Sequence, residues 1–361
     1  MVLESAKLLE RTSEMTQLQA AGVRSRAVDV PERAPASQGT RIAALDFTKG
    51  SLVLLMVLYH WLNYFVDVPW DVYRYLRFLT PSFIFITGFI ITSVYLARYA
   101  PDDPRVRRRL ISRGLKLLVL FTALNGLAAL LARPSPAGAA NPFGAALYSI
   151  YVTGNGRAAF DVLVPIAYLL IVSPFVLRAS ARFPWAPHAI AAVTLTAAWA
   201  LGRKGFSSVT LELLAIGLLG LSIGTVSRQV VRGAAARVGW LLVAYAGYLI
   251  AISAWNIVFP LQVIGVCLSV LLIYVAGATS LSAGPAGRCV VELGQYSLFA
   301  YLAQIVVLQL LRRGFRDLAL PGAPLAALVT ATILTIAAVD VVATARARST
   351  GADRLYRAVF A

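Results

Sequence analysis

An all-α integral membrane protein is the fold class this sequence predicts, and three observations predict it. Hydrophobic residues fill 59% of 361 positions and charged ones only 14%, which is too apolar for a soluble domain of that length. Mean hydropathy is +0.75. The apolar residues also gather into about ten stretches, near 50–68, 78–98, 114–132, 159–178, 186–202, 208–227, 238–255, 257–278, 291–311 and 324–345. Each approaches the roughly 20 residues that a helix needs to cross a bilayer.

Residues 1–40 are polar and rich in Ala, Arg, Ser and Glu. They bury too little apolar surface to order themselves, so a disordered cytoplasmic tail is expected, with a short surface helix possible in "LESAKLLERTSEMTQLQ". No apolar core of a cleavable signal is visible, so the first span is expected to act as an uncleaved anchor. Residues 41–346 then form the membrane domain, and 347–361 a short basic cytoplasmic tail.

Charge sets the expected orientation. The net +17 is spread between the apolar stretches rather than along one stripe with interleaved aromatics, which argues against a nucleic-acid partner. Arg98, Arg105, Arg107, Arg108, Arg109, Arg113 and Lys116 cluster between the second and third stretches. Lysine and arginine accumulate on the cytoplasmic side, so this loop is expected inside. Ten spans then place both termini in the cytoplasm, in agreement with Arg228, Arg232, Arg237 and the arginines at 346, 348, 354 and 357. Arg312, Arg313 and Arg316 fall on the other side, so either they bind something anionic or the count is off by one there.

The longest break, 132–160, carries Pro, Gly and Asn turn signals at both ends and is expected outside as a partial lid. Prolines at 81, 165, 174 and 260 lie in or beside apolar stretches, where they kink helices and free carbonyls. No internal repeat is evident. Cys267 and Cys289 do not suggest a structural disulfide. Tyr and Trp at 70, 73, 75, 148, 151, 185 and 255 suit water interfaces.

Ionisable groups inside apolar stretches are costly, and each is a functional candidate by default. Asp46, Lys49 and His60 occupy the start of the first stretch, "LDFTKGSLVLLMVLYHW". Lys49 and His60 are eleven residues apart, which returns a helix to within about 20° of one direction and separates them by about 16 Å along its axis. Asp46 lies near the same face. This arrangement suits a long ligand whose anionic head stays at a basic mouth while its reactive end reaches an imidazole able to take a proton, and acyl-CoA has that shape. The plainer reading is a histidine bonded to a neighbouring helix and a lysine that snorkels while pairing with Asp46.

Other candidates are fewer. Asp161, at the outer start of the fourth stretch, either orients His60, meets a sugar hydroxyl or caps its helix. Glu212, Glu292 and Asp340 read as partners for nearby cations or helix-end residues, and His188 as an interface residue. Two distant histidines and two isolated cysteines do not form a metal site, so no metal is expected.

The stretch "RIAALDFTKGSLVLLMVLYHW" resembles the first-helix signature of the membrane acyltransferases called acyltransferase family three. Asp46, Lys49, Gly50 and His60 match that pattern in order and spacing. "FLTPSFIFITGFIITSVYLARY" is similar to the family's aromatic-rich segment, with Thr87, Gly88 and Phe89 where Ser-Gly-Phe is usual. "RRRLISRGLKLL" resembles its Arg-rich segment, and "LGQYSLFAYLAQIVV" its closing segment, with Gln304 where a histidine is usual. The resemblance runs from 41 to about 310, is most specific over 41–116, and is closest in tone to glucan succinyltransferases and heparan glucosaminide acetyltransferases.

The resemblance implies about ten helices, a cytosolic acyl-CoA co-substrate with no bound cofactor, and a glycan or glycolipid acceptor. It casts His60 as the catalytic histidine, and Lys49 with Arg107, Arg108, Arg109 and Arg113 as candidates for the donor's phosphates. A bacterial inner membrane is the expected setting. The alternative is a multi-pass transporter or flippase that uses Lys49 and His60 as an ion or proton path.

Overall fold

The computed structural model describes residues 42–360 except 67, 97–98, 101–102, 132–143, 145–146, 156–159, 227–232, 234–236, 256–258, 279–283 and 316–321. The expected tail at 1–40, most of the expected lid at 132–160, and Arg98, Arg228, Arg232 and Arg316 lie outside the described residues. Among the described residues there is no strand, and each of the apolar stretches holds a helix.

In chain order these are α1 Ala43–Trp61, α2 Leu79–Ile90, α3 Pro104–Leu131, α4 Leu163–Arg182, α5 Ala186–Arg203 and α6 Val209–Ile223. They continue with α7 Val238–Ala254, α8 Phe259–Ala278, α9 Pro285–Gln295, α10 Ser297–Phe315, α11 Ala323–Arg348 and α12 Thr350–Phe360. Among the described residues, six helical stretches are long and apolar enough to cross a bilayer: Ala43–Val66, Asp71–Val94, Pro104–Leu127, Leu163–Arg182, Phe259–Ala278 and Ala323–Arg348. Helices α6 and α7 are apolar but shorter.

The ninth stretch departs from a straight span. Helices α9 and α10 meet at 94° around Tyr296. The reason lies in packing, because Gly294 rests on the backbone of Asp46, and Gly50 on the backbone of Val290 and Gly294. A Cβ at either glycine would collide with main chain. This backbone-on-backbone crossing, open only to small residues, holds α9 against the start of α1 and leaves α10 to turn and follow α1.

Helix α1 is the central element, touching α2, α8, α9, α10 and α11. Val53 packs in one cluster with Ala300, and Val57 in another with Leu308, so α10 runs beside α1 in the same direction. A second close crossing joins α2 to α6, where Gly88 meets the backbone of Gly217 and Gly220 meets that of Phe85. Leu52, Met56, Leu79, Ile84, Leu110, Phe121 and Leu163 fill the core between these helices.

The segment expected as a basic tail is a helix. Ser349, in extended conformation, ends α11, and its Oγ accepts a hydrogen bond from the Ala352 N–H. Helix α12 then folds back onto α11 and α3.

Candidate active site

The first turns of α1 place a short ion pair. Lys49 Nζ lies 2.6 Å from Asp46 Oδ1, the i,i+3 spacing that makes such side chains neighbours on a helix. Asp46 is buried and Lys49 half-buried. Lys49 faces a cavity of about 330 Å³ whose walls include Arg113 and Lys116 of α3, Thr87 of α2, Ser297 and Tyr301 of α10, and Tyr356 of α12. Among the described residues, three cations and no carboxylate line it. Such a surface favours an anionic ligand.

The cavity runs inward. Phe83 lies one turn deeper along α2 than Thr87, and Tyr301 one turn deeper along α10 than Ser297. On α4 its wall extends from Leu170 to Val162, about 12 Å of helix. Val162 adjoins Asp161, an exposed residue within electrostatic range of Tyr59 and Tyr301. Phe160, buried and with φ of 61°, turns the chain into Asp161. A left-handed phenylalanine costs on the order of 1–3 kcal/mol. The Asp161 carboxylate accepts from the Val162 N–H, so it steadies the turn into α4 while remaining exposed.

His60 stands at the other end of the same face of α1. Its ring meets Tyr59 edge-on at 5.3 Å and stacks on Tyr64 at 5.8 Å and 28°. Its Nδ1 is buried and has no hydrogen-bond partner among the described residues. His60 does not itself line the Lys49 cavity. The inner wall of the cavity is Phe83, Tyr301 and the start of α4.

The structure divides the predicted arginines. Arg113 joins Lys49 in the cavity, whereas Arg107 and Arg108 line an open groove beside it that shares Lys116 and Val359 with the cavity wall. Arg109 is exposed and lines neither. Arg109 and Arg113 are one turn apart and share a side of α3, so depth along the helix separates them, Arg113 being level with the buried Gly114 that packs on α4.

Gln304 is wholly buried, and neither of its amide atoms has a hydrogen-bond partner among the described residues. It lies between Ala300 and Leu308, hence level with the part of α1 between Val53 and Val57 and below His60. An unsatisfied buried amide costs about 1–3 kcal/mol, so packing alone does not account for a polar side chain there.

The C-terminal helix is the part that sequence reasoning missed. Tyr356, Val359 and Phe360 of α12 form one wall of the Lys49 cavity. Arg346 at the end of α11 donates to Asp353 Oδ1 from Nε at 2.9 Å and Nη2 at 2.6 Å, while Arg357 pairs with Oδ2 at 2.7 Å. The Arg346 guanidinium also lies 4.1 Å from the Tyr356 ring centroid and 5.3 Å from that of Tyr296. The hydrogen bonds from Arg346 hold the Asp353 carboxyl below the usual carboxylate range. The available signal was the amphipathic pattern of "RLYRAVF", apolar on the face that meets α3 and α10.

Outside this region, His188 Nδ1 lies 2.6 Å from Ser222 Oγ and ties α5 to α6.

Compared with known families, the chain matches the family-three acyltransferase domain over residues 42–344. No curated protein and no solved structure matches it.

Proposed function

This chain belongs to acyltransferase family three and is a multi-pass membrane acyltransferase, and from that premise we propose that it moves an acetyl or succinyl group from cytosolic acyl-CoA to a hydroxyl of a glycan or glycolipid. One observation carries the reading. A cavity lined by three cations opens at one end of α1, and an imidazole with an unpaired nitrogen lies on the same face at the other.

In this reading Lys49, Arg113 and Lys116 hold the donor's phosphates, with Arg107 and Arg108 extending the basic surface along the adjoining groove. The acyl arm passes Phe83 and Tyr301. His60 takes the proton from the acceptor hydroxyl, whose oxygen attacks the thioester carbon. The C–S bond then breaks, and the CoA sulfur leaves and is reprotonated. Asp161 positions the acceptor at the rim. Ten spans, cytoplasmic termini and a bacterial inner membrane complete the proposal.

The test combines thermal stability with thiol release. Acetyl-CoA or succinyl-CoA should raise the melting temperature of the purified protein above that with free CoA, and glycans should then release CoA thiol. His60→Ala should keep the stabilisation and lose about 10²–10⁴-fold in thiol release. Full activity in that variant removes His60 from the chemistry, and absence of any shift with CoA species removes acyl-CoA as donor.

A further inference from the structure

We propose that the acceptor carries an anionic oxygen group, which Arg312 binds while the reacting hydroxyl lies at His60. The proposal rests on the acyltransferase reading and adds the acceptor's charge to it.

The geometry is a stack of three groups. The imidazole of His60 stacks on Tyr64 at 5.8 Å, and the Arg312 guanidinium lies 5.5 Å from the centroid of that same ring. Together these distances bound the imidazole-to-guanidinium separation at about 11 Å, with the aromatic face contributing a cation–π contact. A sugar phosphate or an acidic disaccharide spans that gap. The ligand passes the edge of the Tyr64 ring, whose hydroxyl offers it a hydrogen bond.

Arg312 is exposed, and no carboxylate pairs with it or with Arg313 among the described residues. Some arginines near element ends are held by carboxylates or carbonyls, whereas Arg182 and Arg203, like Arg312, lie over an aromatic ring. Arg74 binds Asp71 and the carbonyls of Ile252 and Ser253, and Arg346 binds Asp353. Among the described residues, a cation–π contact leaves the positive charge of Arg312 uncompensated.

Placement adds to the case. Because α10 runs beside α1 in the same direction, Arg312 and Arg313 stand at the His60 end, opposite the Lys49 end and its basic surface. Cations there run against the usual distribution. Complementing the C-terminal dipole of α10 would account for a cation in this turn, but any orientation of the side chain would serve that role. Only Arg312 is set over the ring that stacks on the imidazole. The buried, unpaired Nδ1 of His60 at the other side of Tyr64 marks the place as one where a ligand's polar groups are needed.

The experiment uses the full-length protein in neutral detergent with three soluble probes: maltotetraose, an oligosaccharide of glucuronic acid, and glucose 1-phosphate. Melting shifts and apparent KM are measured for wild type, Arg312→Ala, Arg312→Lys and His60→Ala. One or both acidic probes should stabilise the wild type at concentrations at least tenfold lower than maltotetraose, and which of them does so separates a carboxylate from a phosphate. Arg312→Ala should erase that preference, raising KM for the acidic probe about 10–100-fold with little change in kcat, and Arg312→Lys should restore part of it. His60→Ala should keep the acidic preference in the melting shift. That readout survives even if His60 is not the base, so the two readings fail separately. Equal stabilisation by neutral and acidic probes, or an acidic preference unchanged in Arg312→Ala, overturns the proposal.

Discussion

The two ends of α1 are built on opposite principles. At the Lys49 end several charges are answered within the chain: Lys49 pairs with Asp46, Arg346 and Arg357 share Asp353, and α12 walls the cavity. At the His60 end, among the described residues, Nδ1 is unpaired, Asp161 is exposed, and Arg312 meets only a ring. The difference follows from the ligands each end is proposed to meet. A donor head with several negative charges needs a dense set of cations, and those cations would repel one another in the empty protein without local carboxylates. An acceptor supplies its own hydroxyls and charge, so the groups that await it gain nothing from internal partners.

Three substitutions sharpen this contrast, beginning with the largest effect. Gly294→Val places a branched side chain against the backbone of Asp46 and Gly50. Backbone cannot yield as a flexible side chain does, so the crossing of α9 on α1 should open and the protein should lose most of its yield of folded, monodisperse material in size-exclusion chromatography. Gly247→Val, where a Cβ meets open space, is the control and should behave as wild type. Equal yields from the two would show that the crossing does not organise the Lys49 end.

Asp46→Asn comes next. It leaves Lys49 half-buried beside two other cavity cations without its carboxylate. Stability should fall by about 1–3 kcal/mol, between the values for exposed and buried pairs, with the apparent KM for the glycan unchanged. A rise in acceptor KM equal to that for the donor would mean the two ends are not separable.

The smallest effect concerns α12. The folded-state pKa of Asp353 is depressed by its hydrogen bonds from Arg346, so its contribution is fully present above the ordinary aspartate pKa and is lost as pH falls through the lower folded-state value. Protection factors across 350–360, taken relative to the intrinsic amide exchange rate at each pH, should therefore fall in acid, and Asp353→Asn should show the lower protection already at neutral pH. Identical exchange in both proteins at neutral pH would mean that apolar contacts of Tyr356 and Phe360 hold α12 without the ion pairs.

Much of this was legible in the primary sequence. Asp46, Lys49 and His60 share a face of α1 because their spacing follows the helical repeat, and the repeat is local. The apolar stretches mark helices because a bilayer demands that backbone groups be satisfied within each segment. Arg107, Arg108 and Arg109 were not separable from Arg113 in the same way, since a run of like charges does not say which member faces a cavity. Tyr301 and Gln304 are ordinary residues of an apolar helix until α10 is set beside α1.

By itself, then, the sequence determined that the chain is a helical membrane protein with an acid, a base and a cation in its first helix, because helix period and bilayer solvation act over a few turns. Only the tertiary structure decided that α9 and α10 meet at 94°, that a C-terminal segment walls the cavity of Lys49, and that Tyr64 lies between His60 and Arg312. Those outcomes depend on backbone contact at Gly50 and Gly294 and on side chains separated by hundreds of positions, and close approach of that kind is set by packing rather than by any local pattern.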